Sequence, residues 1–271
     1  MRYPARSSRR GPLLALFFLL SLFMTACSTV PPAAREALAP QGTMRAAINF
    51  GNPILANKDA AGQPVGVSVD LARELASRLG VKLELVTFTA AGQVVEALKA
   101  DKVDIAFVAI DPLRGQDVRY SAAYVVIEGA YLVRQDSALQ RNEDVDRPGH
   151  RIAVGKGSAY DLYLSREIKQ ATLERAPTSP AVVDYFLANK LEVAAGVKQQ
   201  LEADARRVPG LRLLPGRFMV INQAMGTPRV RNEAGVAYLR GFVEEMKASG
   251  FVAQALQRHK IEGAAVAPAE R

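Results

Sequence analysis

Cysteine, histidine and tryptophan are nearly missing from this chain: one Cys (Cys27), two His and no Trp among 271 residues. A single cysteine excludes an internal disulfide and any cysteine-based metal cluster. His150 and His259 stand far apart and lack neighbours with metal-ligand or triad spacing, so neither a histidine zinc site nor a Ser-His-Asp triad has a basis here. No cofactor signature is present. A phosphate loop of the form Gly-x-x-x-x-Gly-Lys-Ser/Thr is absent, because Lys156 precedes Gly157 and Ser158 instead of following the second glycine. The long apolar run is Leu13 to Met24, shorter than the ~20 residues a membrane-spanning helix requires. Strong charge of one sign is also missing. The formal net charge is +8, but four arginines (Arg2, Arg6, Arg9, Arg10) precede that apolar run with no acid among them. Without those four, 31 basic residues face 27 acidic ones, too mild a surplus for a nucleic-acid partner. What is there is ordinary: 49% hydrophobic and 23% charged residues, the balance of a soluble protein with a sizeable core.

The basic front and the apolar run make residues 1–27 an export signal. It closes on Met24-Thr25-Ala26-Cys27, which resembles a bacterial lipoprotein cleavage box, with Cys27 the lipidated residue; the alternative is a conventional signal in which Cys27 is incidental. Ser28 follows, which resembles the outer-membrane sorting default, so the expected location is the periplasm, anchored to the outer membrane. Residues 28–41 hold Pro31, Pro32 and Pro40 among alanines and read as a flexible tether.

The folded part begins at Gly42. The stretch Asp104 to Tyr124 organises it. Ile105 to Ile110 is too short for a helix and apolar throughout, a strand buried on both faces. Asp111-Pro112 stops that strand and starts a short helix, one turn into which lies Arg114. A guanidinium just past the carboxyl end of a buried parallel strand occupies the usual ligand position of open α/β sheets, and its fork suits a carboxylate. Around it, Met44–Asn49 reads as a strand, and Ser68 as the cap of a helix carrying Leu71, Leu75 and Leu79 with Gly80 as its stop. Val81–Phe88 reads as a strand and Ala91–Ala100 as a helix. The β-α-β-α-β order returns in Arg151–Gly155, a helix capped by Ser158, Leu173–Arg175, a helix from Ser179-Pro180, and Glu192–Val197. Two helices follow at about 231–248 and 251–260, and 264–271 reads as a frayed end.

The order and wording of Gly66-Val-Ser-Val-Asp70-Leu71, Val103-Asp104-Ile-Ala, Asp111-Pro112-Leu113-Arg114, Tyr120-Ser121-Ala-Ala-Tyr124 and Ile152-Ala-Val-Gly-Lys-Gly157-Ser158 resemble the family 3 extracellular solute-binding proteins, the periplasmic receptors of polar amino-acid ABC transporters. The resemblance implies an α/β Venus flytrap of two lobes, each a mostly parallel sheet flanked by helices. Lobe 1 would be residues 42–134 completed by 223–260, lobe 2 residues 135–222, and 261–271 a C-terminal tail. Hinge crossings would fall near Leu132–Asp136 and Val220–Met225. A monomer would capture a small carboxylate-bearing solute, an amino acid or related organic acid, and deliver it to an ABC transporter permease.

Candidate ligand residues follow. Arg114 on lobe 1 and the Gly157-Ser158-Ala159 helix start on lobe 2 would hold the carboxylate from both sides. Ala109 lies near the end of the central strand, and Phe50, flanked by Asn49 and Asn52, follows the first. One departure matters: the resemblance predicts an aspartate for a ligand ammonium after the strand Glu192–Val197, but the chain reads Gly196-Val197-Lys198-Gln199. Glu128 is the substitute carboxylate; without it a simple organic acid is the expected ligand. The rival expectation is an enzyme on the same scaffold, such as a cyclohexadienyl dehydratase, with Glu128 as general acid.

Overall fold

The computed structural model describes residues 30–270; the expected signal segment and Cys27 lie outside them. Chain order begins with helix α1 (Pro32–Leu38), inside the expected tether. Proline suits its first turn, and Ala34, Ala37 and Leu38 recur at helical spacing and are buried. The tether expectation is therefore corrected for these residues: a short apolar stripe suffices to dock them on lobe 1.

Strand β1 (Thr43–Asn49) leads to a small hairpin of β2 (Asn57–Lys58) and β3 (Pro64–Val65), then helix α2 (Val67–Leu79). Leu71, Leu75 and Leu79 are fully buried, each worth about 1.5–3 kcal/mol. Gly80 ends α2 in the left-handed conformation, as expected. The start differs. Gly66, not Ser68, flanks the helix, with φ of 125°, and a Cβ there would stand 2.4 Å from the Leu55 carbonyl oxygen. That close backbone passage sets the first residue, and Ser68 turns inward toward the Tyr124 hydroxyl at 3.4 Å. Strand β4 (Lys82–Phe88), helix α3 (Ala91–Lys99) and strand β5 (Ile105–Ala109) follow, β5 buried along its length.

Strand β6 (Val118–Arg134) is the long element that joins the lobes. Lobe 2 continues with β7 (Arg151–Gly155), α4 (Ala159–Glu167), β8 (Thr172–Ala176), α5 (Val182–Ala188), β9 (Val193–Val197), α6 (Lys198–Arg207) and β10 (Leu211–Leu213). Strand β11 (Met219–Pro228) returns, and α7 (Glu233–Ala248), α8 (Phe251–Arg258) and β12 (Ala265–Val266) close the chain.

In lobe 1, β4, β1 and β5 are parallel and β11 runs antiparallel to β5; in lobe 2, β8, β7 and β9 are parallel and β6 runs antiparallel to β9. Because β6 and β11 pair with each other, the two sheets form one ladder in the order β4-β1-β5-β11-β6-β9-β7-β8. Each lobe is pinned in the same way. Arg45, opening β1, holds the fully buried Asp104 ahead of β5 at 2.8 Å, and Arg151, opening β7, holds Glu192 ahead of β9 at 3.0 Å. Arg231 adds a second guanidinium to Asp104 at 2.9 Å, tying in the α7 side. This repeated arginine–acid lock is the local signature of the duplicated unit.

Two boundaries move. Strand β6 already pairs with β9 from Gly129, so its crossing between the lobes lies ahead of Leu132 rather than at Leu132–Asp136. The strand runs through without a break, so no turn residue marks the passage. The C-terminal segment is not frayed: β12 pairs with Val125 and Val126 of β6, and the Ala267 N–H donates to the Tyr124 carbonyl at 3.1 Å. It fills an edge of the hinge strand that would otherwise expose backbone groups.

Candidate functional site

Arg114 owes its position to Asp111. The Asp111 Oδ1 accepts from the Leu113 N–H at 2.8 Å, and this turn follows directly on the buried strand β5. The guanidinium is thereby carried inward and is only 3% exposed. Its Nη1 donates to the Ala109 carbonyl at 3.1 Å in its own lobe, and its Nη2 to the Gly157 carbonyl at 2.9 Å in the other. Burial lowers its pKa below the ordinary guanidinium value, with Tyr120 and Asp111 opposing. Tyr120 lies beside it, its hydroxyl 3.4 Å from the Ala109 carbonyl, and burial raises that phenol to about 12, so it is neutral at pH 7.

From lobe 2, the loop after β7 supplies Gly157, whose φ of 69° demands glycine, and Ser158, which caps α4 by accepting from the Asp161 N–H at 3.0 Å. Asp161 in turn accepts from the Gly157 N–H at 2.8 Å and pairs with Arg175. Gly157 abuts Gly92 of α3: a Cβ on Gly157 would lie 3.2 Å from the Gly92 Cα. A second bridge crosses nearby, from Arg166 of α4 to Asp111 at 2.9 Å.

Arg114, Asn49, Ala109, Ser158 and Ala159 line one cleft between the lobes, and Gly157 stands at its seam. Asn52 joins them. The enclosed space is about 30 Å³, on the scale of one water. A larger solute therefore requires the lobes to part, and parting them frees the Arg114 donor now held by Gly157. A roomier groove of about 690 Å³ lies outside this seam, between α3 and Lys156, Gly157 and Pro177.

Two expected residues are not brought to the cleft. Phe50 lies under Lys58, with the ammonium 5.1 Å from its ring centre. Glu128 stands opposite Val220 on the paired hinge strands, whereas the next residue of β11, Ile221, faces the cleft. Strand alternation therefore points Glu128 to the other side. There it accepts from Arg217 at 2.6 Å and Lys198 at 3.3 Å, and the Arg217 hydrogen bond, followed by Lys198, lowers its pKa. A carboxyl held ionised by two cations is poorly placed to act as a general acid.

Among the cleft or seam residues that escaped the sequence reading are the polar Tyr160, Ser179 and Gln223, and Gly92. Ser179 follows β8 as Ser158 follows β7, a parallel the sequence displayed. Burial pushes the Tyr160 phenol up to about 12, and hydrogen bonds with Ser179 and Ser158 oppose the shift. Gln223 and Gly92 had no local signal.

This is the class of two-lobed solute receptors. Residues 45–261 match the model of the bacterial extracellular solute-binding proteins, family 3, and the chain belongs to that family. Among solved structures, an L-cysteine solute receptor of Neisseria gonorrhoeae is similar with a TM-score of 0.73 at 20% identity, covering 85% of this chain and 94% of that one. An ancestral amino acid-binding protein, described as a precursor of cyclohexadienyl dehydratase, has a TM-score of 0.70 at 21% identity, covering 83% and 98%. Among curated sequences, the membrane-bound lytic murein transglycosylase F of Aeromonas hydrophila is 28% identical over 163 residues, 58% of this chain. The chain spans only 32% of that relative's length.

Proposed function

We propose that this chain is a non-enzymatic, extracytoplasmic receptor that captures a small carboxylate-bearing solute between its lobes and delivers it to an ABC transporter permease. The observation that carries this reading is Arg114: a buried cation with no carboxylate partner among the described residues, placed in the cleft and donating across it to Gly157. A ligand carboxylate would replace the Gly157 carbonyl as acceptor and add the N–H donors at the start of α4. Asn49, Ala109, Ser158 and Ala159 would form the walls. Hinge motion about β6 and β11 would admit and enclose the solute.

Titration calorimetry with wild type and Arg114→Ala tests this. Loss of a buried charged hydrogen-bond pair should cost about 2–5 kcal/mol of binding. Equal affinity in the two proteins would remove the carboxylate clamp. Turnover of prephenate or arogenate by the purified protein would instead favour the dehydratase reading. The protein would act as a monomer in the periplasm, held to the membrane through lipidated Cys27; retention of Cys27→Ser in carbonate-washed membranes would contradict that anchor.

A further inference from the structure

The reading of the Arg114 cleft as the binding site leaves open what accompanies the carboxylate, and the charges around the cleft narrow the choice. No aspartate or glutamate is among the residues that line it. Three acids near the cleft are already committed. Asp111 pairs with Arg166 at 2.9 Å and caps its own turn. Asp161 is held by Arg175 and the Gly157 N–H. Glu128 faces the opposite side of the hinge, between Arg217 and Lys198. Arg114 thus enters the cleft with no carboxylate hydrogen-bonded to its guanidinium among the described residues.

A carboxylate without an amine brings the closed cleft to neutrality. A zwitterion leaves a net charge of +1 inside it and adds an ammonium with no counter-ion, an arrangement that desolvation penalises heavily. What the cleft offers beyond Arg114 is neutral hydrogen bonding. Asn52 has a buried Oδ1 with no partner among the described residues. Gln223 is 6% exposed and lines the same space. Ser179, which hydrogen-bonds the Tyr160 phenol, lines the same space. The Asn52 oxygen can accept from a ligand hydroxyl, and the amide N–H and side-chain hydroxyl donors can reach a hydroxyl or a carbonyl oxygen. We infer that the ligand is a small hydroxy or keto acid lacking an amino group, in contrast to the amino acids bound by the structural relatives.

The test is calorimetry on the purified protein with matched sets that differ only at the α-substituent: glycolate and glycine; L-lactate, pyruvate and L-alanine; phenylpyruvate and L-phenylalanine. In at least one set the acid should bind on the order of 100-fold or more tightly than its amine twin, with that binding lost in Arg114→Ala. Val197→Asp, which introduces a carboxylate on the cleft wall, should narrow the gap in favour of the amine. An amino acid that binds as tightly as its acid twin overturns the inference; if that binding still requires Arg114, the carboxylate reading stands. Binding indifferent to Arg114→Ala overturns both, as does a failure of every set to bind.

Discussion

The Arg166–Asp111 bridge should set how far the lobes stay closed, and Arg166→Ala measures it. The atoms are 2.9 Å apart, and Asp111 is 5% exposed while Arg166 is 42% exposed. At an effective dielectric constant of about 20, that separation corresponds to a gross attraction of about 6 kcal/mol. Solvent around the half-exposed guanidinium and its ordering entropy reduce the net to about 1–2 kcal/mol. The lost contact exists only when the lobes meet, so this energy falls almost wholly on the closed state. A factor of ten in the closed-to-open ratio corresponds to about 1.4 kcal/mol, so a shift of roughly 5- to 30-fold is expected. Spin labels, one on each lobe in a Cys27→Ser background, would report it as a transfer from the short to the long distance population. High salt should move wild type part of the way in the same direction. A double-mutant cycle with Asp111→Asn, which keeps the Oδ1 acceptor for the turn, should return a coupling of about 1–2 kcal/mol. An unchanged distance distribution in Arg166→Ala, or a cycle coupling near zero, would refute the idea that this pair closes the cleft.

Three other outcomes follow from the geometry. Gly157→Ala should weaken ligand binding and closure, since its φ of 69° is strained for alanine and the new Cβ would stand 3.2 Å from Gly92 Cα, whereas Gly92→Ala, whose nearest contact is 3.7 Å, should bind close to wild type by calorimetry. Glu128→Gln should lower stability at pH 7 by no more than about 1 kcal/mol, as expected for a partly exposed ion pair. Because the folded pKa of Glu128 lies below its ordinary 4.5, its contribution is complete above that pH and is lost as pH falls through the folded pKa; chemical denaturation should therefore show the two proteins converging in acid, and a gap that persists there would contradict the ion-pair account. Truncation after Lys260 removes β12 and buried Ala267 from the hinge edge. It should cost about 1–2 kcal/mol, read as a fall in Tm of several degrees, and no change would mean the strap is not holding the hinge.

Much of this molecule was written in local pattern. Leu71, Leu75 and Leu79 recur at helical spacing before Gly80, and β5 is an apolar run ended by Asp111-Pro112; each element follows from sterics and burial over a few residues. The same locality made Arg114 and Ser158 legible, because a strand end followed by a capped turn announces itself in sequence. The family match rests on the order of such pieces. Tertiary structure decided what locality could not. Whether Glu128 enters the cleft depends on its register across β6 and β11, and one position along a strand reverses the face. Phe50 had a suitable place in the chain but found Lys58. Residues 32–38 and 265–267 looked like loose ends because their apolar groups are few; only the surfaces of lobe 1 and the open edge of β6 make burying them favourable. Gln223 and Gly92 enter the cleft and its seam from segments distant in sequence, and their proximity to Arg114 and Gly157 exists only once the chain has folded and the lobes have met.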